Sequence, residues 1–261
     1  MFVTKRSGER EEFDEGKVMR AILRVGVTET VAKEMLDSVK RDMYDGITTE
    51  EIYRKVHQLL DKKKAVKFRL KEAILDLGPE GYYFESFVGK LFQALGYSVK
   101  LREMLQGKCV SHEIDVIVEK GGEKYVVECK FHNSPGMKCN IQTALYTYAR
   151  FLDVNESLPH TGPWLVTNTK FTTDVMRYAG CVGMRLLGWR FPEEGSLENL
   201  IDDNRLYPLT TLGLKRAYER TLLDRNFILV SDLVKNKEYL YELLPEAEAE
   251  RVLLKAKDIL G

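Results

Sequence analysis

The chain lacks an excess of charge of either sign: 40 Lys and Arg stand against 40 Asp and Glu, a formal net charge of zero over 261 residues. Whole-chain attraction to a polyanion is excluded, so any nucleic-acid site must be a local patch. Long apolar runs are missing too. No stretch approaches the roughly 18 apolar residues that span a bilayer, so no membrane partner is expected. The opening residues, Met1-Phe2-Val3-Thr4-Lys5-Arg6, lack the apolar core of a signal peptide, and the expected location is the cytoplasm. The four cysteines (Cys109, Cys129, Cys139, Cys181) crowd into one stretch, and in that compartment no disulfide framework is expected. A Gly-rich phosphate loop, an internal repeat and a low-complexity tract are also absent.

With 44% apolar and 31% charged residues, the chain reads as globular and long enough for two domains of ordinary size. Residues 1–4 and 11–13 read as short strands around Ser7-Gly8. Asp14 is a helix N-cap candidate before the helical spacing of residues 17–23. Residues 30–43 form a second amphipathic helix, and Thr48-Thr49-Glu50-Glu51 opens a third with a cap signal. A basic run, Lys62-Lys63-Lys64, precedes a helix over 66–77. Gly78-Pro79-Glu80-Gly81 is the strongest breaker and sets the domain boundary. Beyond it, helices at 82–95, 140–152 and 172–180 frame strands at 97–101, 113–119, 124–130, 164–167 and 184–188, which indicates an α/β sheet. From Thr210 the pattern is wholly helical, with Pro245 starting the last helix. The expected architecture is three-part: a mostly helical domain over 1–79, a mixed-sheet α/β domain over 80–207 and a helical segment over 208–261.

The most informative stretch is residues 112–132. Two strands flank Lys120-Gly121-Gly122-Glu123, and a Gly-Gly pair is a strong two-residue hairpin signal. With the turn centred there, facing residue numbers sum to 243. Asp115 then faces Glu128, and Glu113 faces Lys130. Facing residues share a side of the sheet. One side holds Glu113, Asp115, Glu128 and Lys130; the other sets Ile114, Val116 and Val118 against Tyr125, Val127 and Cys129. Two facing carboxylates about 5 Å apart destabilise a sheet unless something compensates. A divalent cation would do so, and Mg²⁺ is commonly held by one or two carboxylates plus water and phosphate oxygens. Lys130, two residues past Glu128 on the same side, could orient a water or stabilise charge developing on a phosphate. Without a cation the charged side would be an ordinary solvated face, and a bulge near Gly121 would undo the register.

Asp115 followed by Glu128-Cys129-Lys130 resembles the PD-(D/E)xK nuclease motif. Its surroundings, His112-Glu113-Ile114-Asp115-Val116-Ile117 and Val126-Val127-Glu128-Cys129-Lys130, are similar to the Mrr-like restriction endonuclease branch. That family places a glutamate in the helix before the sheet, matched by Glu85, and a glutamine and tyrosine four apart on the next helix, matched by Gln142 and Tyr146. Ile114, not proline, precedes Asp115. Over roughly residues 80–190 the resemblance implies a restriction-endonuclease-like fold cleaving DNA with Mg²⁺ or Mn²⁺. Glu85, Asp115 and Glu128 would hold the metal, Lys130 would act on the water and Gln142 would support the site.

Val3-Thr4-Lys5-Arg6-Ser7-Gly8, Phe13-Asp14-Glu15-Gly16-Lys17-Val18 and Tyr44-Asp45-Gly46-Ile47-Thr48-Thr49-Glu50-Glu51-Ile52 together resemble the ATP-cone, the nucleotide-sensing module of ribonucleotide reductases. The resemblance implies regulatory binding of ATP or dATP without hydrolysis. Lys5, Arg6 and Lys17 would contact phosphates, Glu11 and Thr49 would lie at the nucleotide, and Arg69 or Lys71 would close the site. Lys17 stands in the first turn of a helix, where backbone N–H groups also favour phosphate. The implied partners are DNA and a nucleotide, and a homo-oligomer is compatible with the sequence. A regulator that binds DNA without cutting, and a nuclease specific for branched structures such as Holliday junctions, are the rival functions.

Other features carry less. Cys109-x-x-His112 and Cys129-x-x-His132 have loose spacing for zinc, and Cys129 would point into the packed face. His112 and His132 flank the hairpin and could meet a DNA phosphate. Trp164 and Trp189 read as core anchors. The leucines at 222–244 read as a packed helical segment; a helix-hairpin-helix reading lacks its hairpin glycine.

Overall fold

Helix starts in the N-terminal part are written locally. The Asp14 carboxylate accepts from Lys17 N at 3.0 Å and opens α1 (Glu15–Arg24). Thr48 and Glu51 form a reciprocal capping box at the start of α3 (Thr49–Leu59). In this computed structural model the described residues are 1–5, 7–134, 136–157 and 159–261, with the side chains of Lys62 and Lys63 also left aside. They fall into two compact units, Met1–Leu70 with the terminal Gly261, and Lys71–Leu260.

In the first unit, β1 (Phe2–Thr4) and β2 (Arg10–Glu12) pair antiparallel. Helix α2 (Glu29–Arg41) buries Ala32, Met35, Leu36 and Val39, a spacing of three and four that makes one apolar stripe. Val3, Ile22, Ile47, Ile52 and Val56 close the same core. Helix α4 (Lys62–Leu75) includes the basic run that the sequence pattern set ahead of it, and the division between the two units falls within this helix rather than at Gly78-Pro79.

In the second unit, α5 (Tyr82–Ala94) leads into a five-stranded sheet of order β3-β4-β5-β7-β9, whose strands are β3 (Ser98–Gln106), β4 (Ser111–Lys120), β5 (Glu123–Lys130), β7 (Gly162–Thr167) and β9 (Arg185–Leu187). The first three strands run antiparallel and the last three parallel. A short parallel pair, β6 (Lys138–Cys139) with β8 (Lys170–Phe171), sits apart from that sheet and has too few residues to show a period.

Both faces of the sheet are covered. Helix α5 packs on one, with Gly89 against Val99 and Leu101 and Phe92 edge-on to Trp164. Helix α6 (Ile141–Ser157) packs on the other, where Phe151, Val154 and Tyr148 meet Ile117 and Val126. Three successive residues, Tyr125, Val126 and Val127, are therefore buried, as expected of a two-sided strand. The face carrying Asp115 and Glu128 is thus apolar at one end, not a solvated face. Helix α7 (Thr173–Val182) lies beside α6, with Tyr178 edge-on to Tyr148.

Helix α8 (Leu197–Asp203), the 3-10 turn Leu209–Leu212, and α9 (Arg216–Asp224), α10 (Val230–Lys235), α11 (Lys237–Leu243) and α12 (Glu246–Leu260) complete the unit. The C-terminal helices are tied to its front: Lys90 of α5 meets Asp232 at 3.0 Å, and Tyr83 donates to Asp224. The bend between α9 and α10 uses Asn226 at φ 64°. The N–H groups of Ile228 and Leu229 donate to Asp232.

Candidate active site

The hairpin register follows the local turn. Gly121 and Gly122 both take positive φ, 61° and 83°, as a two-residue turn of that hand requires. Lys120 pairs with Glu123, and facing numbers sum to 243 up to Val116 with Val127. The ladder then stops, one residue short of Asp115. The backbone N–H of Cys129 turns to the Asp115 carboxylate instead, Oδ2 at 2.7 Å. The ladder to β3 is broken at the same level, where Arg102 lies between the paired residues Leu101 and Glu103 with φ 52°. Asp115 thus occupies a gap where the sheet opens on both sides.

Three carboxylates converge at this gap. Glu85 stands in the first turn of α5, with Oε2 at 3.4 Å from Arg102 Nη1. Glu128 Oε2 accepts from Arg150 Nη1 at 2.7 Å. All three are held above the usual carboxylate range. For Asp115 the cause is burial, opposed by the Cys129 N–H and by Arg150. For Glu85 it is burial, then the Asp115 charge. For Glu128 burial acts first and Asp115 second, and the group is pushed to about 7 against the pull of Arg150 and Lys130. Directly behind them, burial and the same three carboxylates push the Cys129 thiol well up.

Two arginines that the motif did not name provide the compensating charge. Arg150, on α6, also donates to the Glu113 carbonyl at 3.0 Å and to the Tyr146 hydroxyl, and its guanidinium lies 4.7 Å from the Tyr146 ring centroid. Arg102 lies 4.0 Å over the Tyr82 ring and 3.3 Å from Ser86 Oγ. Arg150 was legible as the next step of the same helical face, four beyond Tyr146 and eight beyond Gln142. Arg102 carried no signal, because its position depends on a left-handed residue inside a strand.

The expected Glu113–Lys130 pairing does not form. No ion pair joins them among the described residues, because the strands part before that level; Arg150 takes the Glu113 carbonyl. Lys130 is exposed, and its backbone carbonyl accepts from Thr167 Oγ1 at 2.7 Å. Gln142 is exposed, at the start of α6. His112 is bound to Asp153 at 2.8 Å and turned to a structural task.

Three oxygen donors that are partly desolvated and mutually repelling suit a hard divalent cation. No ready-made cage of three His, Cys, Asp or Glu groups is present among the described residues. A cation would have to draw the three carboxylates together and take over from Arg150 at Glu128.

In the first unit, Glu11, Lys17 and Thr49 line a cavity of about 160 Å³ whose wall is apolar, including Phe13, Tyr53 and Phe68. Lys5 reaches Glu11 at 2.9 Å and Lys17 reaches it at 3.4 Å, so this carboxylate gathers both cations. Arg6 lies outside the described residues. Arg69 is not in the cavity lining; its charge acts on His57. Lys71, the other residue expected to close that site, falls in the second unit, where its ammonium is engaged by the Asn168 carbonyl and the Trp189 ring.

Comparison with known proteins agrees with this division. An ATP cone domain model matches residues 1–71, and a restriction endonuclease model matches residues 79–188. A model described as AF1548-like, C-terminal, matches residues 207–260. An uncharacterized protein of Archaeoglobus fulgidus is 40% identical over 176 residues, 67% of this chain and 100% of that protein. The chain belongs to the AF1548-like family. The crystal structure of AF1548, a protein of unknown function, is likewise 40% identical to this AF1548-like chain. It covers 69% of this chain and 98% of its own, with a TM-score of 0.63. A repair endonuclease from Pyrococcus abyssi aligns at 12% identity with a TM-score of 0.33, over 42% of this chain and 46% of its own, too remote to carry an argument. The AF1548-like chain therefore joins an ATP-cone domain to a nuclease-like domain. No helix among the described residues is long and apolar enough to cross a membrane.

Proposed function

We propose that the second unit is a metal-dependent DNA endonuclease, using Mg²⁺ or Mn²⁺, and that ATP or dATP in the first unit regulates it. The observation that carries this is the convergence of Glu85, Asp115 and Glu128 where the sheet opens, with all three carboxylates raised first by burial, and Glu85 and Glu128 also by the Asp115 charge. Perturbed carboxylates of this kind cluster at functional sites. Glu85, Asp115 and Glu128 would hold the metal, which when bound supplies Lewis-acid stabilisation of the attacking and leaving oxygens. Lys130, exposed and without a carboxylate partner among the described residues, is available to orient the attacking water and to meet negative charge on the phosphate. Arg150 holds Glu128 in place before the metal arrives. Gln142, on the same helix, is available to contact substrate.

In the first unit, Lys5 and Lys17 would exchange the Glu11 carboxylate for nucleotide phosphates, while Phe13, Tyr53 and Phe68 offer an apolar wall to the base. The test is nicking of supercoiled plasmid and cutting of branched DNA with Mg²⁺ or Mn²⁺. Loss of cutting is expected in Asp115→Ala and Lys130→Ala, and cutting equal to the parent would refute the assignment. One observation favours a second function, a nucleotide-responsive DNA binder without turnover: the 2.7 Å bond of Arg150 to Glu128 already satisfies one of the three carboxylates. Binding without metal-dependent cutting across the whole substrate panel would select it.

A further inference from the structure

Beyond the ends of β5 and β7 lie cations that the carboxylate site does not use. Lys71 is partly buried; its ammonium donates to the Asn168 carbonyl and lies 4.7 Å from the Trp189 ring centroid. Burial, with the charges of Arg190 and Lys170, holds its pKa down at about 8. No carboxylate pairs with Lys71 among the described residues. Glu198 acts on it from a distance, but the Glu198 oxygens are taken by Arg190 at 2.6 and 3.3 Å.

This cation is built into the same frame as Lys130. Asn168 accepts from His132 N at 2.9 Å and donates to the His132 carbonyl at 2.8 Å, and Trp189 N donates to Thr169 O at 2.9 Å. His132, two residues past Lys130, is held below its usual range by burial and by Lys130 and Lys71. Its Nε2 is buried with no partner, and so is the indole N–H of Trp189, a residue only 3% exposed. A half-buried cation without a counter-charge is costly. Here it is fixed by a hydrogen-bonded polar frame, beside two unpartnered buried nitrogens and more cations. That arrangement fits an anion with several oxygens arriving from outside, and its place beside Lys130 fits a phosphate in the substrate strand.

We propose that Lys71, His132 and Lys170 form a second phosphate subsite, which grips the DNA backbone beside the bond that faces Lys130. This rests on the DNA-cleaving function of the second unit. A nucleotide phosphate is the other source of the same chemistry, and the experiment separates the two.

The full chain is titrated against a short labelled duplex in Ca²⁺ by fluorescence anisotropy, across about 50–200 mM salt, where each neutralised phosphate contributes a log–log slope of about 0.9. Lys71→Met is expected to weaken binding about tenfold and to flatten the slope by about one contact. Lys170→Gln, at an exposed position, is expected to flatten it similarly, while Lys71→Arg keeps the parent slope. ATP binding, measured by calorimetry on the same samples, should be unchanged. If Lys71→Met fails to fold by its melting curve, Lys170→Gln and His132→Gln carry the measurement. Parent-like affinity and slope in the folded variants would overturn the subsite while leaving any DNA cutting by the parent intact. Weakened ATP binding with unchanged DNA binding would assign the cations to a nucleotide and overturn it as well. A parent chain that neither binds nor cuts DNA would remove the nuclease function first and the subsite with it.

Discussion

Replacing Glu128 with glutamine should make the metal-free second unit more stable at pH 8, although the side chain lies at the centre of the site. The folded protein holds this carboxyl at about 7, against 4.5 for an unperturbed glutamate. A pKa raised on folding means that the folded state binds the proton more tightly than the unfolded chain. The associated stability is fully present below pH 4.5 and is lost as pH rises to about 7. At about 1.4 kcal/mol for each unit, the ionised carboxylate costs the native state up to about 3 kcal/mol at pH 8. Only 17% of the side chain is exposed, so solvent screens little of this, but the charge is shared with Asp115 and the figure is an upper bound. In a unit of this size each kcal/mol moves the melting temperature by about 2–4 °C. Differential scanning calorimetry should therefore find Glu128→Gln melting several degrees above the parent at pH 8 and level with it at pH 4.5. Added Mn²⁺ should raise the parent transition and leave the variant where it is. A variant that melts at or below the parent at pH 8 would refute the claim that the carboxylates are strained.

Three further outcomes are expected. Metal affinity of the parent should fall up to tenfold per pH unit below about 7, where the Glu128 proton competes, and level off above it; calorimetric Mn²⁺ titrations across that range check this. Arg150→Met removes the cation bound to Glu128 and should cost about 1–3 kcal/mol of stability while tightening Mn²⁺ binding, so weaker metal binding would contradict a placeholder role for this arginine. Asp153 joins His112 and the N–H groups of Cys109 and Val110, and its carboxyl is held down at about 2 chiefly by His112. A depressed pKa gives stability that is present above the ordinary aspartate value of 3.8 and is lost as pH falls toward about 2, so the penalty of Asp153→Ala, read by thermal melts, should shrink over that range.

The extent to which the site was legible depended on the range of the interaction that shaped each piece. The Gly121-Gly122 turn is local, so it carried the register to Val116 and Val127 correctly. The register could not say where the ladder would stop, because that depends on the Asp115 side chain taking the Cys129 N–H, a side chain–backbone competition that a pairing rule does not include. Glu113 and Lys130 were assigned to each other on the assumption that pairing continued. Arg102 was not read from the sequence at all, and Lys71 was grouped with the first unit, for a different reason. A left-handed arginine in a strand is set by its tertiary partners Glu85, Ser86 and Tyr82. Lys71 lies at the end of a motif-bearing segment, and sequence adjacency assigned it to that segment although α4 carries it into the next unit. The short β6–β8 pair has two residues in each strand, too few for any periodicity to register.

The central claim, that Glu85, Asp115 and Glu128 gather around one divalent ion, is tested most directly by a crystal structure of the protein grown with Mn²⁺ and read by anomalous scattering. One strong peak is expected within about 2.0–2.3 Å of oxygens from both Asp115 and Glu128, with the Arg150 guanidinium moved off Glu128. A peak elsewhere on the molecule, or an Arg150–Glu128 bond unchanged in saturating Mn²⁺, would contradict it.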